Sequence, residues 1–229
     1  MIDPIVHSTS PVTLVGAGEA TPQDLQKSLM LAPTCVAADS GATLALSHGA
    51  DIAALIGDFD SVTPDILAEI PSERHFRVAE QTSTDFEKAL TRIAAPVVLG
   101  IGFLGGRIDH QLAVFHTLVT FPDRPCVLLG PQEVVCLAPP HIELPLEAGE
   151  LVSLFPMGAV TGRSAGLNWP IEGLSFSPSS RIGTSNRALG RVSLEMDGPE
   201  MLLILPRRLM PVLVQRFLQP DVARWPFRA

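Results

Sequence analysis

Asp58 and Asp60 flank a phenylalanine in the run Gly57-Asp58-Phe59-Asp60-Ser61. Two carboxylates at that spacing offer hard oxygen donors to one cation, provided the chain brings both to the same side. An extended segment does so, because residues two apart share a face. Mg²⁺ takes oxygen ligands at roughly 2.0–2.1 Å and keeps waters and substrate phosphates among them, so one or two carboxylates suffice. The plainer reading is an Asx-type turn before a helix capped at Thr63, and closely spaced aspartates also serve glycosyltransferases and phosphatases. Thr84-Asp85-Phe86-Glu87 is a second acidic run, and Thr84 with Glu87 has the spacing of a capping box. Asp85 can be a ligand while standing at that helix start. A third run, residues 102–110, is a glycine-bearing loop entering a helix. Its glycines let backbone N–H groups approach phosphate oxygens, and the helix N-terminus favours anions. Arg107 adds a forked donor for phosphate. Asp109 as a helix cap and His110 as a packed helical residue are the alternatives there.

The elements that must position these groups alternate in type. Residues 12–15 read as a strand, followed by a Gly16-Ala17-Gly18 turn. Thr21 is an N-cap with Pro22 at the first helical position, opening a helix to about Leu31. Strands are expected at 35–38, 53–56, 75–78 and 97–101, with helices at 42–47, 86–93 and 109–119. This alternation predicts an α/β domain with a mostly parallel sheet. Asp39 then follows the second strand, and Asp58 and Asp60 the third. Asp85 follows the fourth, and Gly105, Arg107, Asp109 and His110 follow the fifth. Open α/β sheets bind ligands beyond the carboxyl ends of their strands, so these residues fall to one edge.

After Pro122 the pattern changes. Gly130-Pro131 and Pro139-Pro140 punctuate the chain, and alternating segments at 151–155, 191–196 and 201–205 predict antiparallel β structure, a small sandwich or barrel-like layer. The boundary is placed near residue 130, giving domains 1–130 and 131–229, with a short final helix at 210–218. Residues 183–186 form a polar cluster whose plain reading is a hairpin turn. Trp169 reads equally as a core anchor or a stacking surface.

The 229 residues are 46% hydrophobic and 17% charged, which suits a folded chain with a sizeable core. A formal net charge of −8 argues against a nucleic-acid surface. A polyanion such as ATP would need a metal to offset the local charge. Cys35, Cys126 and Cys136 show no CxxC spacing and read as free thiols. No signal-peptide pattern and no bilayer-length apolar run is seen, so a soluble cytoplasmic protein without membrane contact is expected.

Taken in order, Asp39-Ser40-Gly41-Ala42, the 57–61 run, Thr84-Asp85, the 105–110 run, the 166–169 run and Thr184-Ser185-Asn186 resemble the thiamine pyrophosphokinase family over nearly the whole length. The resemblance implies an N-terminal α/β nucleotide domain, a C-terminal antiparallel β-sandwich and a homodimer. It implies pyrophosphate transfer from ATP to thiamine, giving thiamine diphosphate and AMP. It assigns Asp58, Asp60 and Asp85 to catalysis and to Mg²⁺, and Asp39, Gly105, Arg107, Asp109 and His110 to the nucleotide. Ser185, Asn186 and Trp169 would serve thiamine. Two departures stand out: many members carry a lysine and an acid where this chain has Gln81-Thr82-Ser83, and some carry a tryptophan near Leu202. The alternatives are another metal-dependent nucleotide transferase, such as a sugar-nucleotide transferase, and a non-catalytic thiamine- or nucleotide-binding module.

Overall fold

Strand and helix alternate through the first half of the chain in a computed structural model that describes residues 2–228. The order is β1 (Val6–His7), β2 (Val12–Val15), α1 (Pro22–Leu31), β3 (Thr34–Ala38), α2 (Gly41–Ser47) and β4 (Ile52–Gly57). It continues with α3 (Pro64–Glu69), β5 (His75–Arg77), α4 (Asp85–Leu90), β6 (Ile93–Ala94), β7 (Val98–Ile101) and α5 (Ile108–Thr120). Then come β8 (Cys126–Leu129), β9 (Glu133–Leu137), β10 (His141–Leu144), β11 (Leu151–Pro156), β12 (Gly162–Leu167), β13 (Thr184–Met196), β14 (Met201–Pro206) and α6 (Met210–Phe217). The chain divides into two compact units. The first runs to Thr117 and takes in Leu128–Pro131; the second holds Leu118–Val127 and the chain from Gln132 onward.

In the first unit β2 pairs with β7, β3 with β4, β4 with β5 and β1 with β6, all in parallel. Every residue of β2 and β7 is buried, as expected of parallel strands covered on both faces. The Thr21 cap forms as its sequence requires. Its hydroxyl accepts from the Asp24 N–H at 3.2 Å, and the Asp24 carboxylate accepts from the Thr21 N–H at 2.9 Å. The helix expected to reach residue 93 stops at Leu90, because Ile93 and Ala94 are drawn into β6 beside β1.

The second unit is antiparallel: β13 pairs with β10, β11 and β12, and β14 pairs with β11 and β9. Burial alternates along β11, with Val152 and Leu154 inside and Leu151 and Phe155 outside, the signature of a sheet with one wet face. Thr184, Ser185 and Asn186 do not sit in a turn. They open the long strand β13, directly after Gly183, whose φ is +116. A side chain at that glycine would lie 1.9 Å from the Leu154 carbonyl oxygen, so the entry into β13 depends on glycine. None of the helices among the described residues is long and apolar enough to cross a membrane.

Gly41 opens α2 where a Cβ would stand 2.1 Å from the Val15 carbonyl oxygen. Backbone cannot yield as a side chain can, so Gly41→Ala is expected to cost more than about 2 kcal/mol of unfolding free energy in urea titration. Gly49 has φ +70 but open space around it, and Gly49→Ala should cost only about 1 kcal/mol of conformational strain. Equal losses at the two positions would refute the steric account of Gly41.

Candidate active site

A cleft of about 640 Å³ opens in the first unit beyond the carboxyl ends of its strands. Asp39 stands one residue past β3 and Asp58 one past β4, while the β5–α4 connection brings Gln81 and the first residue of α4 brings Asp85. Gly102 follows β7, and the chain then passes Gly105, Arg107 and His110 along the rim. Phe86 and Phe103, with ring centroids 4.7 Å apart, form an apolar part of its wall.

Asp39, Asp58 and Asp60 converge so that one carboxylate oxygen of each lies within 4.8 Å of the others. Strand alternation does not bring Asp58 and Asp60 together, contrary to the sequence expectation. Phe59 between them adopts a left-handed conformation, φ +68, and Asp60 already lies in a turn. Asp39 is also left-handed, φ +47. Its Oδ1 accepts from the Ser40 N–H at 2.8 Å and its Oδ2 from the Phe59 N–H at 2.9 Å. One buried carboxylate thus pins both unusual turns. Gly57 is needed beside it, since a Cβ there would come within 2.8 Å of Asp39 Oδ2. The Asp60 N–H donates to Asp58 Oδ1 at 3.2 Å, and the His75 ring meets Phe59 edge-on with centroids 5.9 Å apart. Burial raises the proton affinity of Asp39, and the charges of Asp58 and Asp60 raise it further against the two N–H bonds.

Lys88 is the residue that sequence reasoning missed. Its ammonium is 2% exposed, donates to Asp58 Oδ2 at 2.7 Å and lies 3.4 Å from Asp85 Oδ1. That hydrogen bond is the main reason the Asp58 carboxyl is held down at about 2. Burial alone would weaken the ammonium, but its bond to Asp58 and the nearby acids carry its proton affinity above the ordinary lysine value. Asp85 is shifted upward, first by burial and then by the Asp39 charge. It is not one of the three converging acids; it faces them through Lys88. The signal in the sequence was a lysine three residues after Asp85, on a helix whose neighbouring Phe86, Ala89 and Leu90 are buried.

Gln81, at one of the departures from the family pattern, donates through Nε2 to Asp58 Oδ2 at 3.0 Å. Glu80 shapes this loop by accepting from the Thr82 and Ser83 N–H groups at 2.8 and 3.1 Å, and from both hydroxyls. The hydroxyl bonds of Ser83 and Thr82 hold its carboxyl at about 2. Of the capping box at Thr84, the hydroxyl half forms: Oγ1 accepts from the Glu87 N–H at 3.2 Å.

On the opposite lip, the Gly18 N–H donates to the Gly102 carbonyl at 2.7 Å, an approach in which neither residue has room for a Cβ. Arg107 is exposed and forks onto Asp109, with Nε–Oδ1 at 3.1 Å and Nη2–Oδ2 at 2.6 Å. Asp109 therefore pairs with the rim arginine rather than lining the cleft. Ser185, Asn186 and Trp169 belong to the second unit. Ser185 is exposed, Asn186 is fully buried and Trp169 is 57% exposed, so the tryptophan is no core anchor.

Removing the ammonium leaves Asp58 a buried, unpaired carboxylate, so Lys88→Met should cost about 3 kcal/mol at neutral pH. A carboxyl held below its unfolded value contributes stability above pH 3.8, lost as pH falls through about 2. The deficit of the variant should therefore shrink on acidification over that interval, measured by urea unfolding at several pH values. A deficit constant down to pH 2 would show that Lys88 stabilises by packing alone.

Residues 25–128 match the catalytic-domain family of thiamin pyrophosphokinase. Thiamine pyrophosphokinase 3 of Oryza sativa subsp. japonica is 32% identical over 154 residues, 57% of this chain and 56% of that protein. Thiamine pyrophosphokinase 2 of the same organism is 32% identical over 175 residues, 67% of this chain and 65% of that protein. The chain thus spans little more than half the length of the first of these relatives. The fold is shared with the crystal structure of thiamin pyrophosphokinase from Geobacillus thermodenitrificans, TM-score 0.70 at 22% identity, covering 86% of this chain and 96% of that one. It is likewise shared with thiamin pyrophosphokinase from Candida albicans, TM-score 0.72 at 16% identity, covering 90% and 95%. The acids, the lysine and the glycine turn of the cleft, from Asp39 to Arg107, lie inside residues 25–128, the segment that matches the thiamin pyrophosphokinase catalytic-domain family.

Proposed function

We propose that this chain is a thiamine pyrophosphokinase, using ATP as co-substrate and releasing AMP with thiamine diphosphate. The observation that carries the reading is the carboxylate group Asp39, Asp58 and Asp60, fixed at strand ends beside Lys88 within the family segment. The donor set is all oxygen and closely spaced, which fits Mg²⁺. Asp39, Asp58 and Asp60 would hold the ion, with Asp85 facing them, and when bound it would supply charge neutralisation to the phosphate chain.

The protein's own groups do the rest by positioning and electrostatics. Arg107 forks onto phosphate oxygens after leaving Asp109, and the backbone at Gly105 gives the chain close approach at the rim. His110 lies beside them on the nucleotide side, and Asp109 takes the arginine back when the site empties. The thiamine hydroxyl oxygen forms its bond to the β-phosphorus while the bond to the oxygen of AMP breaks. The hydroxyl proton passes to a carboxylate of the cleft. Residues 1–130 would serve metal and nucleotide, and residues 131–229 a β-sandwich for thiamine and dimerisation. Ser185 and Trp169 offer a hydroxyl and an indole face to thiamine, with Asn186 behind them. The exposed apolar residues Leu151, Phe155, Ile182 and Leu189 of that half suit a buried contact with a second copy of the chain. A cytoplasmic location agrees with the three free cysteines.

Incubation with ATP, Mg²⁺ and thiamine, resolved for AMP against ADP, tests the reading. AMP and thiamine diphosphate should appear in equal amounts, and Asp60→Asn should lower the rate about 100-fold or more while the fold is kept. ADP as the nucleotide product, or wild-type rates in Asp60→Asn, would overturn it.

A further inference from the structure

One peptide group, the one joining Asp58 to Phe59, is held at both of its polar ends. Strand β4 lies between β3 and β5 in their three-stranded sheet. On the β3 side the Asp39 N–H donates to the Ile56 carbonyl at 3.0 Å, and beyond it Asp39 Oδ2 takes the Phe59 N–H at 2.9 Å. On the β5 side the Val78 N–H donates to the Gly57 carbonyl at 2.7 Å. Beyond that bond, Arg77 Nε donates to the Asp58 carbonyl at 3.1 Å. On each flank a side chain thus carries the pairing past the end of β4.

The setting of this peptide decides whether the acids stay together. Phe59 has φ +68, and released it would relax to the negative values that L residues prefer. If that angle relaxed alone, Asp60 would be carried away from Asp39 and Asp58. If the planar peptide flipped as a unit, its carbonyl oxygen would face the Asp39 carboxylate in place of the N–H. Either change disperses the three acids. Asp39 restrains the N–H end, but with the same carboxylate that a cation would engage. Arg77 restrains the carbonyl end from outside that group. His75, two residues earlier and so on the same face of β5, packs its ring edge-on against Phe59.

We propose that Arg77 is a positioning residue for the cation site, holding the peptide between Asp58 and Phe59 so that Asp39, Asp58 and Asp60 stay converged before an ion arrives. This rests on the Mg²⁺ reading above. Its bond is to the backbone of Asp58, so it acts by geometry. Charge alone has the opposite sign: a guanidinium beside a cation site repels the ion, and its loss would tighten metal binding. Loss of the clamp weakens binding, because apparent affinity falls with the fraction of molecules in the binding-competent form.

Two variants of the full chain separate these accounts, with Mn²⁺ alone as the probe and free Mn²⁺ read by electron paramagnetic resonance. Arg77→Met keeps the length of the stem and has no donor. Arg77→Gln loses the charge but keeps an N–H the same number of bonds from Cβ as Nε. Arg77 is exposed, so both are surface changes, and urea unfolding checks that each is folded. Arg77→Met should weaken Mn²⁺ binding about tenfold, and Arg77→Gln should stay within about twofold of wild type. In turnover, Arg77→Met should need about tenfold more Mg²⁺ for half-maximal rate, with kcat at saturating Mg²⁺ lowered less than about twofold. Mn²⁺ binding in Arg77→Met as tight as in wild type, or tighter, would overturn the proposal. So would an equal loss in Arg77→Gln, which would assign the effect to charge. A wild-type chain with no saturable Mn²⁺ site would overturn the cation reading itself, and the proposal with it.

Discussion

Four carboxyl groups, Asp39, Asp58, Asp60 and Asp85, are brought to one cleft, and a single buried ammonium stands among them. Like charges at these separations in a partly dry site repel by several kcal/mol unless protons or cations intervene. Lys88 settles how the strain is shared. It keeps Asp58 ionised, while burial first, and the neighbouring acids after it, raise the proton affinity of Asp39 and Asp85. The helix that carries the lysine is short, and its other inward residues, Phe86, Ala89 and Leu90, anchor it in the core. The position of the ammonium is therefore set by apolar packing, and the acids arrange themselves around it.

The second constraint is backbone. Asp39 and Phe59 both hold left-handed conformations that cost a non-glycine residue about 1–2 kcal/mol each. Asp39 meets part of that cost itself, because its carboxylate accepts N–H bonds from Ser40 and from Phe59. The same atoms that would bind a cation thus hold the turn that aims them. Strain of this kind persists where surrounding structure over-determines it, and here Gly57 and His75 close the site around it.

How much of this was legible beforehand follows from what each signal depends on. The Thr21-Pro22 cap, the strand at residues 12–15 and the placing of acids after strands are local patterns, and they appear where periodicity and capping chemistry put them. The convergence of Asp58 and Asp60 was expected for the wrong reason, since nothing in Asp-Phe-Asp announces a positive φ at the central residue. Lys88 looked like any helical lysine, because its partner Asp58 lies thirty residues away and only tertiary structure reveals it. Asn186 was expected to face a ligand, because its burial depends on the alternation of a strand that the sequence reading began only at residue 191.

The cleft also explains how a chain of net charge −8 can be suited to a polyanion. Its cations are already engaged: Lys88 with Asp58 and Asp85, and Arg107 with Asp109. Phosphate would have to exchange with Asp109 for the arginine, an exposed pair of little net worth that yields readily. It would not displace Asp58 from the buried lysine on the same terms, because that separation leaves an uncompensated charge in the interior. The two ion pairs therefore differ in kind. The rim pair is an exchangeable contact, and the buried pair is a fixed part of the site, so a phosphate chain would be drawn to the rim while the acid group stays in place for a cation.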